Sequence, residues 1–277
     1  MCLQKMTCKR LLLLCSAILM CFFQANAVAL ETRVNQWGMT FVKIPAGSFY
    51  MGLDDFASAL MEVPEPKENE LKDELPRHNI KISDDFYMAQ TEVTQQQWLS
   101  VMENRPGPEK FWNQDNWKNL PVVSVNWFMA ERFVEEINKL DKQYRYRLPS
   151  EVEWEYVARA GSNELRPVSI DVLEDYAWFI HNSGDVQQPV ASRKPNAYGV
   201  YDMLGNVWEW VDDWYAPDAY EKYTARNSKG PDTGLSKVRR GGSYHCPVHL
   251  IRPGYRAANK PGVAYEVTGF RLIAETR

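Results

Sequence analysis

Asp202-Met203-Leu204-Gly205-Asn206-Val207-Trp208-Glu209-Trp210 is the stretch with the densest chemistry in the chain, and the reading of fold and site starts from it. Two carboxylates seven residues apart bracket a glycine, which lets the main chain turn so that carbonyl oxygens converge on one point. A hard cation such as Ca2+ takes about 6–8 oxygen ligands, many of them main-chain. Asp202 and Glu209 are then the candidate side-chain ligands. The spacing is not that of an EF-hand loop, and two acids in a turn serve equally as solvated or capping groups.

Downstream, Arg239-Arg240-Gly241-Gly242-Ser243-Tyr244-His245-Cys246-Pro247-Val248-His249 gathers a thiol, a hydroxyl and two imidazoles around a Gly-Gly turn. Cys246 with His245 and His249 suits Cu(I) or Zn2+, and a thiolate near arginine and histidine is activated by a lowered pKa. The competing reading is a buried, inert cysteine, since so tight a cluster cannot close a tetrahedral site without ligands from elsewhere. Arg252, Arg256 and Arg271 call for acidic partners in the loop-rich body. No His-Glu-x-x-His, Gly-x-Ser-x-Gly, phosphate-cradling or dinucleotide motif is present.

Upstream, local signals give a few helices and short strands. Phe41 to Gly52 reads as two strands around a Pro/Gly turn, and Ile80-Lys81-Ile82 and Phe86-Tyr87-Met88 as strand pieces. Thr94 and Gln97 form a capping box ahead of a helix through Trp98 and Met102, and Ser150 and Glu153 a second one ahead of a helix that stops at Gly161. Between them, Ala130, Phe133, Val134, Ile137 and Leu140 make one apolar stripe on a helix from Trp127 to Leu140. Leu53 to Arg77 is rich in acids and prolines and reads as a solvated, mobile loop. Alternating β-α units are too few for a doubly wound sheet, so the class is α+β.

The 277 residues are 45% apolar and 25% charged with a formal charge of −4, which excludes disordered, collagen-like and polytopic membrane chains. Without a basic block in the body of the chain, neither nucleic acid nor an anionic lipid surface is a main partner. Residues 1–27 have the layout of a secretory signal: Lys5, Lys9 and Arg10, an apolar run from Leu11 to Phe23, then Ala25-Asn26-Ala27. The run is shorter than the roughly 20 residues that span a membrane, so no stable insertion is expected after cleavage. Cleavage after Ala27 leaves 29 Lys+Arg against 36 Asp+Glu, a net −7, in a domain of residues 28–277. Four of the five cysteines leave with the signal, and the remaining Cys246 cannot form an intrachain disulfide.

The chain resembles the formylglycine-generating enzyme, or sulfatase-modifying factor, family. The matching blocks are Phe41 to Gly52, Thr91-Glu92-Val93-Thr94 with Trp98, Pro121-Val122 with Val125-Asn126-Trp127, Arg147 to Tyr156, Pro195 to Met203, Gly205 to Trp210, Arg240-Gly241-Gly242-Ser243 and Gly269-Phe270-Arg271. The resemblance implies a loop-rich variant of the C-type-lectin-like fold stabilised by calcium. It places Ca2+ ligands at Asp202, Gly205, Val207 and Glu209, the middle two through main-chain oxygens. It also implies an active site lined by Ser243 and Trp208. Aerobic relatives use two cysteines five residues apart to bind Cu(I) and oxidise a substrate cysteine. The first aligns with Cys246, but the second position is Ile251.

Two functions follow from that pattern. One is an oxidoreductase-like maturation factor, periplasmic or secreted, acting on a peptide or peptide-derived small molecule with copper or iron at Cys246, His245 or His249. Exported relatives without the cysteine pair include one needed for oxidative maturation of the pyoverdine chromophore. The other is a non-catalytic, calcium-stabilised protein that binds or assists a partner protein.

Overall fold

The computed structural model describes residues 30–54, 71–223 and 229–277. The expected signal segment and residues 55–70 of the acidic segment lie outside the described residues. Five strands form an antiparallel sheet: β1 (Thr32–Val34), β2 (Thr40–Ile44), β5 (Phe86–Ala89), β11 (Ile273–Thr276) and β6 (Tyr144–Arg147), in the order β1-β2-β5-β11-β6. The N- and C-terminal strands of the domain thus meet in one sheet. A second sheet, ordered β10-β7-β8-β9, joins β10 (Thr268–Phe270), β7 (Trp208–Trp214), β8 (Lys237–Arg240) and β9 (Ala257–Asn259). Strands β3 (Gly47–Met51) and β4 (His78–Ile82) pair separately.

Both expected capping boxes are present. Thr94 Oγ1 accepts from Gln97 N while Gln97 Oε1 accepts from Thr94 N, opening α1 (Gln95–Met102). After α2 (Trp127–Leu140), capped by Asn126, the Ser150 and Glu153 pair opens α3 (Glu151–Arg159) in the same way. A short α4 (Ala219–Lys222) follows β7. Each cap satisfies amides that the helix itself leaves unpaired.

The stripe on α2 buries Ala130, Phe133, Val134 and Ile137, where Trp98 of α1 stacks on Phe133 and both meet Phe270. Leu140 departs from the expected stripe and is 53% exposed. It is the last helical residue, and Asp141 takes the inward position instead, accepting from Gln143 N, Tyr144 N and the Tyr146 hydroxyl.

The acidic segment read as solvated is partly interior. Leu53 and Leu71 pack together, and Asp73 and Glu74 are buried. Glu74 forms a two-pronged pair with Arg252, and Asp73 accepts from the Tyr215 hydroxyl. These contacts belong to one interior ionic network. Arg256 holds both oxygens of Glu151, and Glu155 accepts from Gly52 N, Arg159, Arg240 and the Tyr220 hydroxyl. Burial opposes ionisation of Glu155, but Arg159 and Arg240 outweigh it and hold its carboxyl down to about 2. Arg252, Arg256 and Arg271 all find the acidic partners expected of them.

Candidate functional site

The 202–207 loop is built on unusual main-chain conformations. Asp202, Gly205 and Asn206 all have positive φ, at 56°, 82° and 53°. Asp and Asn tolerate that region better than other side chains, whereas position 205 requires glycine, because a Cβ there would lie 2.1 Å from the Trp178 carbonyl. Gly205 N donates to Gly241 O, and Tyr244 N donates to Asn206 O. These bonds lay the Gly241-Gly242 turn against the loop and bring Ser243 and Cys246 beside Trp208.

Three buried carboxylates converge at the loop. Glu209 accepts from Arg271 Nε and Nη2, each at 2.7 Å, and from Trp154 Nε1 at 2.9 Å. Asp202 Oδ2 accepts from Ala191 N, but its Oδ1 has no partner. Glu92, 1% exposed, has no hydrogen-bond donor on either oxygen. Burial and the Asp202 charge push Glu92 well above the usual carboxylate range, and burial pushes Asp202 up to about 6. One guanidinium therefore faces three carboxylates, and the unpartnered oxygens of Glu92 and Asp202 fit a hard cation. No group of three or more His, Cys, Asp or Glu side chains is arranged as a metal site among the described residues. Glu209, expected as a ligand, spends both oxygens on Arg271.

Cys246 is 7% exposed, with its sulfur 3.3 Å from Ser243 Oγ and hydrogen-bonded by the Trp208 side chain. Burial pushes the thiol up despite these donors and Arg239, so it is neutral at physiological pH. Ile251, fully buried, shares an apolar cluster with Cys246, Trp208, Leu204 and Phe179. It packs so closely on Gly242 that a Cβ there would come within 2.5 Å of Ile251 Cδ1. The segment from Val248 to Tyr255 is held by its carbonyls: Arg166 binds those of Val248 and Ile251, Arg252 that of His249, and Arg240 those of residues 253–255.

Ser243, Cys246 and Trp208 are therefore brought together, and His245 joins them through its main-chain N, which donates to Ser243 Oγ at 3.4 Å, rather than through its imidazole. His245 turns outward and pairs with Asp185, both well exposed. The donor set does not fit linear Cu(I), which needs a second soft ligand where Ile251 stands.

Beside this cluster lies a groove of about 410 Å³ lined by Lys110, Phe111, Gln114, Asp185, Gln187, Tyr244, His245 and Glu266. Lys110 and Glu266 pair at 3.2 Å in its wall. Gln187, only 3% exposed, has neither carboxamide atom hydrogen-bonded. A second cavity of about 290 Å³ lies along Tyr176, Lys194, Asn196, Asp202 and Met203. Neither cavity has Cys246 in its wall. Sequence reasoning missed Glu92, Gln187 and Asp185, whose roles arise only when distant loops meet.

Comparison with known proteins gives the family of the chain. The Sulfatase-modifying factor enzyme 1-like domain matches residues 27–276. A relative named serine/threonine-protein kinase pkn1, from Chlamydia pneumoniae, is 32% identical over 223 residues, covering 72% of this chain and 34% of that protein. The formylglycine-generating enzyme of Streptomyces coelicolor is 34% identical over 170 residues, 55% of this chain and 52% of the relative. The chain thus spans about a third of the length of the Chlamydia relative. The structure of PvdO from Pseudomonas aeruginosa superposes with a TM-score of 0.73 at 25% identity, covering 88% of this chain and 98% of that one. With a matching domain over nearly its whole length and the irregular C-type-lectin-like architecture, the chain belongs to the formylglycine-generating enzyme (sulfatase-modifying factor) family.

Proposed function

We propose that the chain is an exported, calcium-stabilised binding or accessory protein of this family, whose groove beside Tyr244 and His245 takes a peptide or peptide-derived segment of a partner. The observation that carries the proposal is the state of Cys246: a neutral thiol in an apolar wall, with Ile251 packed where a second thiolate would be needed. The groove has what peptide recognition uses: the Phe111 and Tyr244 rings for side chains, a carboxamide with donor and acceptor unspent, and charges of both signs at its rim. Calcium would be held by Asp202 and Glu92 with the main-chain oxygens of Gly205 and Val207, supplying the positive charge that the carboxylates lack. No helix among the described residues is long and apolar enough to cross a membrane.

The second reading, an oxidoreductase-like maturation factor, draws on one observation, that Ser243 and Trp208 both hydrogen-bond Cys246. Selecting peptides from a displayed library separates the two. Binding is expected to fall roughly tenfold in Gln187→Leu, the usual scale for losing a buried hydrogen-bond partner, and in Phe111→Ala, while Cys246→Ala binds like wild type. Loss of binding in Cys246→Ala, or oxygen uptake in the presence of a selected peptide, would contradict the binding reading.

A further inference from the structure

Among the described residues, five buried arginines pair with carboxylates, and a sixth, Arg166, donates to the main-chain carbonyls of Ile251 and Val248. Arg159 and Arg240 share Glu155, Arg252 grips Glu74, Arg256 grips Glu151 and Arg271 grips Glu209. Arg256 and Arg271 use the same edge of the guanidinium: Nε and Nη2 each donate to one oxygen of one carboxylate, at 2.7 and 3.0 Å in Arg256 and at 2.7 Å twice in Arg271. That parallel fork is the geometry that makes arginine selective for planar anions.

Arg239, on β8, breaks the pattern. It is 8% exposed, and its Nη1 donates to Thr268 Oγ1 at 2.5 Å. Its Nε is buried without an acceptor, Nη2 makes no hydrogen bond, and no carboxylate pairs with it among the described residues. Three rings surround the guanidinium instead, with the centroids of Tyr265, Trp208 and Trp210 at 4.8, 5.2 and 5.7 Å. Burial lowers its basicity to about 10, which leaves it a cation at neutral pH, and the neutral Cys246 thiol nearby supplies no balancing charge. Aromatic faces attract a cation, but they do not accept the hydrogen bonds of its Nε–Nη2 edge.

We propose that the Nε–Nη2 edge of Arg239 binds the carboxylate of a ligand, next to Trp208 and Cys246, with the Tyr265 and Trp208 rings as apolar walls. One fork matches a planar monoanion, whereas a phosphate dianion calls for a second cation. This subsite is distinct from the Lys110 and Gln187 groove, so a failure of peptide binding there leaves it standing, and its own failure leaves the groove untouched.

Calorimetric titration of the full chain tests it with four probes: phenylacetate, its neutral isostere phenylacetamide, and a Gly-Gly-Phe tripeptide with a free or an amidated C-terminus. At least one free acid is expected to bind, its amide roughly tenfold or more weaker, and Arg239→Lys is expected to lose a similar factor because an ammonium cannot make the fork. Binding of phenylacetate alone identifies a small free acid as the ligand, and binding of the tripeptide acid identifies a chain terminus. Equal binding of acid and amide, undiminished binding by Arg239→Lys, or no binding of any probe overturns the proposal. Arg239→Met controls for packing: it keeps the stem, removes the unpaired charge and is expected to melt at or above the wild-type temperature. A melting temperature lower by about 10 °C, well outside the usual scatter for a surface change, would make Arg239 a packing residue and overturn the proposal as well.

Discussion

Glu155→Gln is expected to cost about 3–5 kcal/mol of folding stability at pH 7, the scale for breaking a buried ion pair on one side. Glu155 is completely buried and is shared by Arg159 and Arg240. A neutral amide offers one acceptor oxygen in place of two charged ones, so Arg159 loses its charge partner in the interior, Arg240 keeps only the more distant Glu151 at 3.6 Å, and the Gly52 amide competes for what remains. The pH dependence gives this loss a signature. The native carboxyl is held down to about 2 against an ordinary value of 4.5, so its contribution is complete above pH 4.5 and is lost as pH falls toward 2. In urea unfolding from pH 7 to pH 3, the gap between wild type and Glu155→Gln is expected to stay constant down to about pH 5 and then narrow. A gap that does not change with pH would mean that shape, and not charge, is what Glu155 supplies.

The second large effect concerns calcium. Removal by a chelator is expected to lower the melting temperature by several degrees, since a ligand held at 100 times its dissociation constant adds about 2.7 kcal/mol. In a domain of this size that corresponds to roughly 5–10 °C. The reason lies in the charge count, three buried carboxylates around Arg271 with the oxygens of Glu92 and Asp202 left without donors. Glu92→Gln removes one of the unpaired charges. It is expected to melt at or above wild type in chelator and to gain less from added calcium. Identical melting of wild type with and without calcium would remove the cation from the account.

How much of this was legible in the sequence varies with the range of the interaction. The capping boxes at Thr94 and Ser150 and the inward face of α2 are set by neighbours three and four residues away, and the structure contains each of them. Leu140 fits the same periodicity yet lies exposed, because periodicity does not say where the covering layer ends. The acidic segment misled for a different reason. Composition marks Asp73 and Glu74 as solvated, but Arg252 and Arg256, 178 and 183 residues later in the chain, reach them in the interior. The family resemblance implies a shared site for Ser243, Trp208 and Cys246, and the three side chains meet in the structure. Their chemistry was not readable from the sequence, since it depends on the apolar cluster around Ile251 that raises the thiol pKa. Glu92 and Arg239 stand in stretches that the sequence singles out, but nothing local distinguishes them from their neighbours there. Each is conspicuous only because its polar atoms lack partners once the fold is closed.

The central claim is that the position used for metal chemistry elsewhere in the family is, in this chain, part of the packed core of a binding protein. Anaerobic titration of the purified chain with Cu(I) against a competing chelator tests it most directly. The account predicts no stoichiometric binding that depends on the thiol, with wild type and Cys246→Ala giving superimposable curves. One equivalent of tightly held Cu(I) that is lost in Cys246→Ala would contradict it.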